Sequence, residues 1–283
     1  MTTVSEVARR PAAGSPVRRR HVPLRSTCAR PHACPAPVRR EVLSRVPLFA
    51  GLSAEDLLTV DARMTSLAWA EGDPLYRAGE PAEHLYVLAV GRAKVLRTAA
   101  TGQDVVVDLL APGDLAGPLG AGDPHDGAGV LGTSGAGVHT ETVVALSTVC
   151  ALRIGLTEFR AVLEEHPAVA LRVLDTTLRL LAEARADVVR QSTADVAQRV
   201  AATLLRLDAR FGQERAAGGT LLQLPLSRAD LAGMTGSTPE SVSRVMSRLR
   251  REGVLETGRR WTAIRDRERL AAVAAGAPRS AVD

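Results

Sequence analysis

Glu240, Ser243, Arg244, Ser247 and Arg248 recur at intervals of three and four within "TPESVSRVMSRLRR". That spacing places side chains on one face of an α-helix. The groups on this stripe are those that read base-pair edges in the DNA major groove. A carboxylate accepts from cytosine N4, a guanidinium donates in a pair to guanine O6 and N7, and a serine contacts a base or a thymine methyl group. Arg248, Arg250 and Arg251 are better placed for phosphates, which add affinity without sequence choice. An acid beside a phosphate backbone is unfavourable unless a base donates to it, so Glu240 is what turns a basic helix into a candidate reader. The bland alternative is a solvated face with Glu240 and Arg244 paired within the helix.

The three cysteines are the other candidates for chemistry. An odd, small number argues against a disulfide framework and for a reducing, cytoplasmic setting. Cys28 and Cys34 lie in "CARPHAC". His32 between them would suit zinc, and two thiols there would also suit a disulfide switch. Cys150 taken alone is a small buried hydrophobe. His125 and His139 flank a glycine-rich loop and, with no further spaced ligand, read as surface histidines. Gly127, Gly129 and Gly132 spell G-x-G-x-x-G, but a loop precedes them and not a strand, which argues against a dinucleotide site. Paired carboxylates, a nucleophile triad and a phosphate loop are all missing from any catalytic context, so the expectation is that the protein is not an enzyme.

The element that must hold the reading stripe is a helix-turn-helix. Ser227 is placed to cap "RADLAGM", with Asp230 three residues on. Ala232 is small where two helices cross, and Gly236 supplies the left-handed residue of the turn. Thr238 then caps the second helix and Pro239 takes its first position, where no donor is lost. Val242, Val245, Met246 and Leu249 form the stripe to be buried. "GVLETGRRWTAIRD" reads as two strands about Gly258, a wing whose Arg259 and Arg260 would touch phosphate.

The rest of the 283 residues divides by period. Residues 1–36, rich in Arg, Pro and Ala, read as a mostly disordered basic arm. Residues 37–157 open with short helices, with Ser53 a cap before "AEDLL". They continue as alternating stretches such as "HLYVLAVG" and "DVVVDLL", punctuated by glycines, a pattern of roll or barrel. Residues 158–192 become helical, and Leu171, Leu174, Leu178, Leu181, Arg185 and Val188 make a seam whose near-coiled-coil spacing favours a second copy over packing on its own domain. Arg185, near Glu183 and Asp187, would be costly there if unpaired and would make dimerisation conditional. Residues 193–276 hold a helix at 195–211 and the helix-turn-helix, and 277–283 form a tail. Lys94 is the only lysine, and a net charge of +5 permits a polyanionic partner. No apolar run approaches the ~20 residues of a membrane span, and no apolar h-region marks a secretory signal.

Two stretches, "GDPLYRAGEPAEHLYVLAVGRAKV" and "LPLSRADLAGMTGSTPESVSRVMSRLRREGVL", resemble the roll and the DNA-binding domain of the Crp/Fnr family of bacterial transcription regulators. The likeness runs over residues 37–275. It implies an α+β fold: an N-terminal cyclic-nucleotide-binding-type β-roll, a long dimerisation helix and a C-terminal winged helix-turn-helix. It also implies a cytoplasmic homodimer that binds double-stranded DNA and works with RNA polymerase. The Fnr branch carries E-x-x-S-R, matched here by Glu240, Ser243 and Arg244, and reads half-sites like TTGAT arranged as a palindrome.

Family members that bind cyclic AMP carry Gly-Glu and later Arg-Ser; here Gly117-Pro118 and Thr140-Glu141 stand instead. Proline cannot accept the ribose hydroxyl and an acid replaces the phosphate site, so the resemblance implies a pocket lost to cyclic AMP. Fnr proteins hold a [4Fe–4S] cluster with three cysteines in the arm and one in the roll. Cys28, Cys34 and Cys150 match three of these positions and Arg25 stands at the fourth, leaving His21, His32 or an acid as the remaining ligand. A cluster, a zinc or thiol switch, and no metal at all stay open. The signal expected is redox, oxygen or nitric oxide; the alternative is a roll that binds a cyclic nucleotide or another small effector.

Overall fold

A computed structural model describes residues 34–100, 102, 104–118, 137–216 and 218–276, together with the backbone of residues 30–31. His21, Cys28, His32 and the Gly127–Gly132 motif lie outside the described residues. Strand β1 (Arg30–Pro31) precedes helices α1 (Ala36–Arg45) and α2 (Ala54–Ala62). Ser53 caps α2 in a reciprocal box with Asp56, as expected. Eight more strands follow: β2 (Thr65–Trp69), β3 (Pro74–Tyr76), β4 (His84–Val90), β5 (Ala93–Thr98), β6 (Asp104–Leu110), β7 (Leu115–Ala116), β8 (Thr142–Ala145) and β9 (Val149–Gly155). They form two antiparallel sheets, ordered β1-β2-β9-β4-β7 and β3-β8-β5-β6. This is the β-roll.

Two expectations need correcting here. The arm is not wholly without structure, because Arg30 and Pro31 pair with Ala68 and Leu67 on β2. Edge pairing needs only backbone groups, so hydrophobic periodicity gives no sign of it. His139 is not a surface histidine: it is 3% exposed and stacks on Tyr76 with centroids 3.8 Å apart. Tyr76 stacks in turn on Tyr86, and Trp69 meets Tyr86 edge-on. Both tyrosines of an aromatic-poor chain are thus spent on the inside of the roll, with Trp69 beside them.

The helical stretch after the roll is two helices, not one. Helix α3 (Leu156–Glu165) ends at His166, and α4 (Pro167–Thr193) begins with Pro167. A proline there would cost the interior of a continuous helix a hydrogen bond, yet suits the first turn of a new one. Helix α5 (Val196–Phe211) starts from Asp195, which forms a capping box with Gln198. The C-terminal domain adds β10 (Gln213–Glu214), β11 (Thr220–Leu222), α6 (Arg228–Thr235), α7 (Pro239–Arg251), β12 (Leu255–Gly258), β13 (Trp261–Ile264) and α8 (Arg267–Ala274). The wing strands β12 and β13 belong to a four-stranded sheet ordered β10-β11-β13-β12. Strands of two and three residues such as β10 and β11 leave too short a period to see in the sequence.

The two domains share a core. Val106 and Leu109 of β6 pack in one cluster with Leu231, Ala232, Val242 and Met246. Helix α6 lies directly on β6, where a Cβ added at Gly233 would come within 3.1 Å of Val105 Cγ1 and 3.2 Å of the Val106 amide.

Candidate nucleic-acid interface

The helix-turn-helix is built as its residues dictate. Ser227 Oγ accepts from the Asp230 amide at 3.0 Å, and Asp230 Oδ2 accepts from the Ser227 amide at 2.8 Å. Gly236 turns the chain with φ 55° and ψ 45°, the left-handed region that a side chain resists. Thr238 Oγ1 accepts from the Ser241 amide at 3.2 Å and Pro239 opens α7. Arg199 braces the turn from α5, donating to Thr235 O at 2.7 Å and to Ala194 O at 2.6 Å.

The faces of α7 separate as the spacing requires. Val242, Met246 and Leu249 are buried, with Val245 packed against them. Thr238, Glu240, Arg244, Ser247, Arg250 and Arg251 are exposed, and Ser243 and Arg248 are half-buried. The Glu240 carboxyl is held below its ordinary range, first by its own backbone N–H and then by the Thr238 hydroxyl, with Arg244 adding a smaller attraction. The acid thus complements the positive N-terminus of α7. Arg248 lies 3.9 Å from Glu252, the residue that caps the C-terminus of the helix. The arrangement is an outward polar stripe of acceptor, hydroxyls and guanidinium groups on an apolar underside.

The wing is less free than expected. Arg259 is exposed at the tip. Arg260, expected at phosphate, pairs with Glu71 of the roll at 2.6 Å and has a positive φ of 69° at the second position of the two-residue turn. Further ties bind the two domains. Lys94 Nζ lies 3.0 Å from Asp230 Oδ1, Arg92 donates to Gln223 O at 2.6 Å, and Arg210 bridges Asp108 and Asp114 at 2.8 and 2.7 Å. Sequence reasoning missed all of these. The one available signal was that a chain rich in arginine keeps a single lysine, at position 94.

In the roll, Gly117 has φ +128°, and a Cβ there would meet His84 O at 2.8 Å. Pro118 follows it, half-buried, as do Thr140 and Glu141 on the other side of the site. Gly117, Thr140 and Glu141 line a cavity of about 840 Å³ that extends past Arg97 to Leu180 on α4 and Arg206 on α5. Burial pushes the Glu141 carboxyl up, with Arg97 and the Tyr76 hydroxyl acting against it. The Tyr76 hydroxyl donates to Glu141 Oε1 across 3.5 Å.

Cys34 and Cys150, 116 positions apart in the chain, meet. The Cys34 and Cys150 side chains share a hydrogen bond, and burial followed by the charge and hydrogen bond of Cys34 pushes the Cys150 thiol up to about 11. Both are half-buried. Among the described residues no group of three or more His, Cys, Asp or Glu side chains could hold a metal ion. Two thiols fall short of the four ligands a [4Fe–4S] cluster takes, so the described residues do not fit one. Cys28, His21 and His32 lie outside them.

The seam residues of α4 are open. Leu171, Leu174, Leu178, Leu181 and Val188 are 46–68% exposed and Arg185 is exposed beside them. Neither neighbouring acid serves Arg185: Glu183 pairs with Arg179, and Asp187 with Arg190 and Arg206. Among the described residues no helix is long and apolar enough to cross a membrane.

Comparison with known proteins matches both halves. Residues 67–166 match the cyclic nucleotide-binding domain family, and residues 198–273 the Crp-like helix-turn-helix domain family. A CRP-like cAMP-activated global transcriptional regulator of Mycobacterium tuberculosis is 26% identical over 235 residues, covering 82% of this chain and 97% of the relative. The transcriptional activator protein FnrL of Cereibacter sphaeroides is 25% identical, with 78% and 85% covered. The solved structure of FixK2 from Bradyrhizobium japonicum shares the fold, with a TM-score of 0.61 at 24% identity over 74% of this chain and 96% of that one.

Proposed function

The chain belongs to the Crp/Fnr family of DNA-binding transcriptional regulators, and from that premise we propose that it reads a palindrome of TTGAT-like half-sites as a homodimer. The observation that carries this reading is the exposed stripe of α7, with Glu240 and Arg244 one turn apart above a buried apolar face. Glu240 accepts from cytosine N4, Arg244 grips guanine, and Ser243 and Ser247 contact neighbouring bases. Thr238, Arg248 and Arg259 hold phosphate. The seam Leu171, Leu174, Leu178, Leu181 and Val188 is the proposed dimer contact, which sets two recognition helices about 34 Å apart in successive major grooves. RNA polymerase is the proposed second partner. The test is a titration of a duplex with two inverted TTGAT half-sites against one with scrambled half-sites. A specific protein should bind the first at least about 10³-fold more tightly, and equal affinity for both would end the reading.

For the signal, the proposal is a redox cue received through the cysteines and not cyclic AMP. Pro118 and the half-buried acid Glu141 favour this, because a proline side chain cannot accept from a ribose hydroxyl and a carboxylate does not neutralise a cyclic phosphate. A small effector in the roll is the second reading, favoured by the cavity of about 840 Å³ between the roll, α4 and α5. Thermal-shift titration with cyclic nucleotides separates the two: a saturable shift would overturn the reading of Pro118.

A further inference from the structure

We propose that Cys34 and Cys150 form a reversible disulfide that clasps the N-terminal arm to the β-roll. The sheet anchors the arm beside the strand that carries Cys150. Arg30 of the edge strand β1 stands opposite Ala68 of β2, and Ala68 stands opposite Cys150 of β9, so the arm lies in the same row as Cys150 with β2 between them. Cys34 follows four residues later, in the link between β1 and α1, and its side chain hydrogen-bonds that of Cys150. The contact is long-range and pairs two of only three cysteines in the chain. Both residues are half-buried and neither is closed off in the core, which leaves the pair within reach of a small oxidant.

The chemistry balances with a peroxide as the oxidant. One thiol attacks a peroxide oxygen, the O–O bond breaks, and a sulfenic acid and one water result. The second thiol displaces the hydroxyl from the sulfenic sulfur, the S–S bond forms and a second water leaves. The two sulfurs together give up two electrons and the peroxide takes them. In a reducing compartment a thiol reductant reverses the bond, the pattern of a transient sensing disulfide. The far end of the clasp leads onward, because β9 runs through Gly155 into α3 and then α4. The inference rests on the redox reading of the cysteines and is independent of DNA recognition.

The test uses the full chain, purified anaerobically, and its Cys28→Ser variant. Each is treated with hydrogen peroxide, blocked with an alkylating agent and mapped by mass spectrometry under non-reducing conditions. The expected result is loss of two of the three thiols in the wild type and a Cys34–Cys150 linked peptide in both proteins, reversed by dithiothreitol. In a Cys34→Ser variant the link should vanish. A Cys28–Cys34 bond in the wild type, free Cys34 and Cys150 in oxidised Cys28→Ser, or stoichiometric zinc or iron in the untreated protein would each overturn the proposal. DNA affinity measured on the same samples is a separate readout, so either claim can fail without the other.

Discussion

Lys94, the only lysine of the chain, reaches from the roll to set Nζ 3.0 Å from Oδ1 of Asp230. The other oxygen of that carboxylate closes the capping box of α6 with Ser227. One acid thus both starts the helix-turn-helix and fastens it to the sensor domain. Burial pushes the Asp230 carboxyl up, but the Ser227 hydroxyl and amide, followed by Lys94, outweigh it and leave it below the ordinary 3.8.

A depressed carboxyl contributes stability above the unfolded value and loses it as pH falls through the folded one. The contribution of Asp230 should therefore be intact at neutral pH and disappear in acid, below about pH 4. Asp230→Asn should flatten that acid limb in denaturant titrations run across pH. Lys94→Met should cost about 1–3 kcal/mol, between the values of exposed and buried pairs. An unchanged unfolding midpoint in Lys94→Met would mean that the contact carries no weight in solution.

Two glycines of this region separate conformational strain from crowding. Gly236 is left-handed with only ordinary contacts near its Cβ direction, 3.6 Å from Gln191. Gly236→Ala should cost about 1 kcal/mol, and Gly236→Asn less. Gly233 is crowded by the backbone of β6, so Gly233→Ala should loosen the docking of α6 on the roll. Faster hydrogen exchange in β6 of that variant is the expected sign, and wild-type protection there would contradict the docked arrangement.

Arg244→Ala should lose about 1–3 kcal/mol on the palindromic site and little on random duplex. Arg248→Ala should weaken binding to all sequences alike and lower the salt slope by about one. Glu240→Ala should relax the choice at one base pair of each half-site, read by selection from a degenerate duplex pool. Equal losses for Arg244→Ala on both duplexes would reduce its role to phosphate contact.

The wing gives a prediction of opposite sign. Arg260 and Glu71 are about half exposed, and such pairs contribute about 0.2–1 kcal/mol. If the wing leaves Glu71 to reach phosphate, Glu71→Gln should tighten DNA binding by about 1.4- to 5-fold, and Arg260→Ala should weaken it. Identical affinities for wild type and both variants would show that the wing tip stays off the DNA.

Leu174→Asp and Leu178→Asp put charge on side chains that are 54% and 55% exposed in one copy. They should leave the fold intact and shift sedimentation from dimer to monomer. Arg185→Leu, which removes a charge with no acid of its own on α4, should strengthen association. Unchanged mass in all three would exclude this face as the contact.

The helix-turn-helix was legible residue by residue because its signals are local. Ser227, Asp230, Gly236, Thr238 and Pro239 act within three or four positions of the groups they satisfy, and the 3.6-residue period sorts Val242, Met246 and Leu249 from Glu240 and Arg244. The roll strands "HLYVLAVG" and "DVVVDLL" were legible for the same reason, through their glycine turns and alternation. The break at Pro167 is written in the sequence as a proline, but helical spacing on both sides of it reads as one continuous stretch.

What only the tertiary structure decided depends on contacts between distant segments, which no local period encodes. Lys94 meets Asp230 across 136 positions, Arg260 meets Glu71 across 189, and Cys34 meets Cys150 across 116. His139 looks like any loop histidine until the two sheets close and Tyr76 stacks on it. The sequence by itself determined which elements form and which face of α7 is polar. The packing of one domain on the other decided which of those charges stand free, because an ion pair depends on where the backbone brings its partners and not on their spacing along the chain.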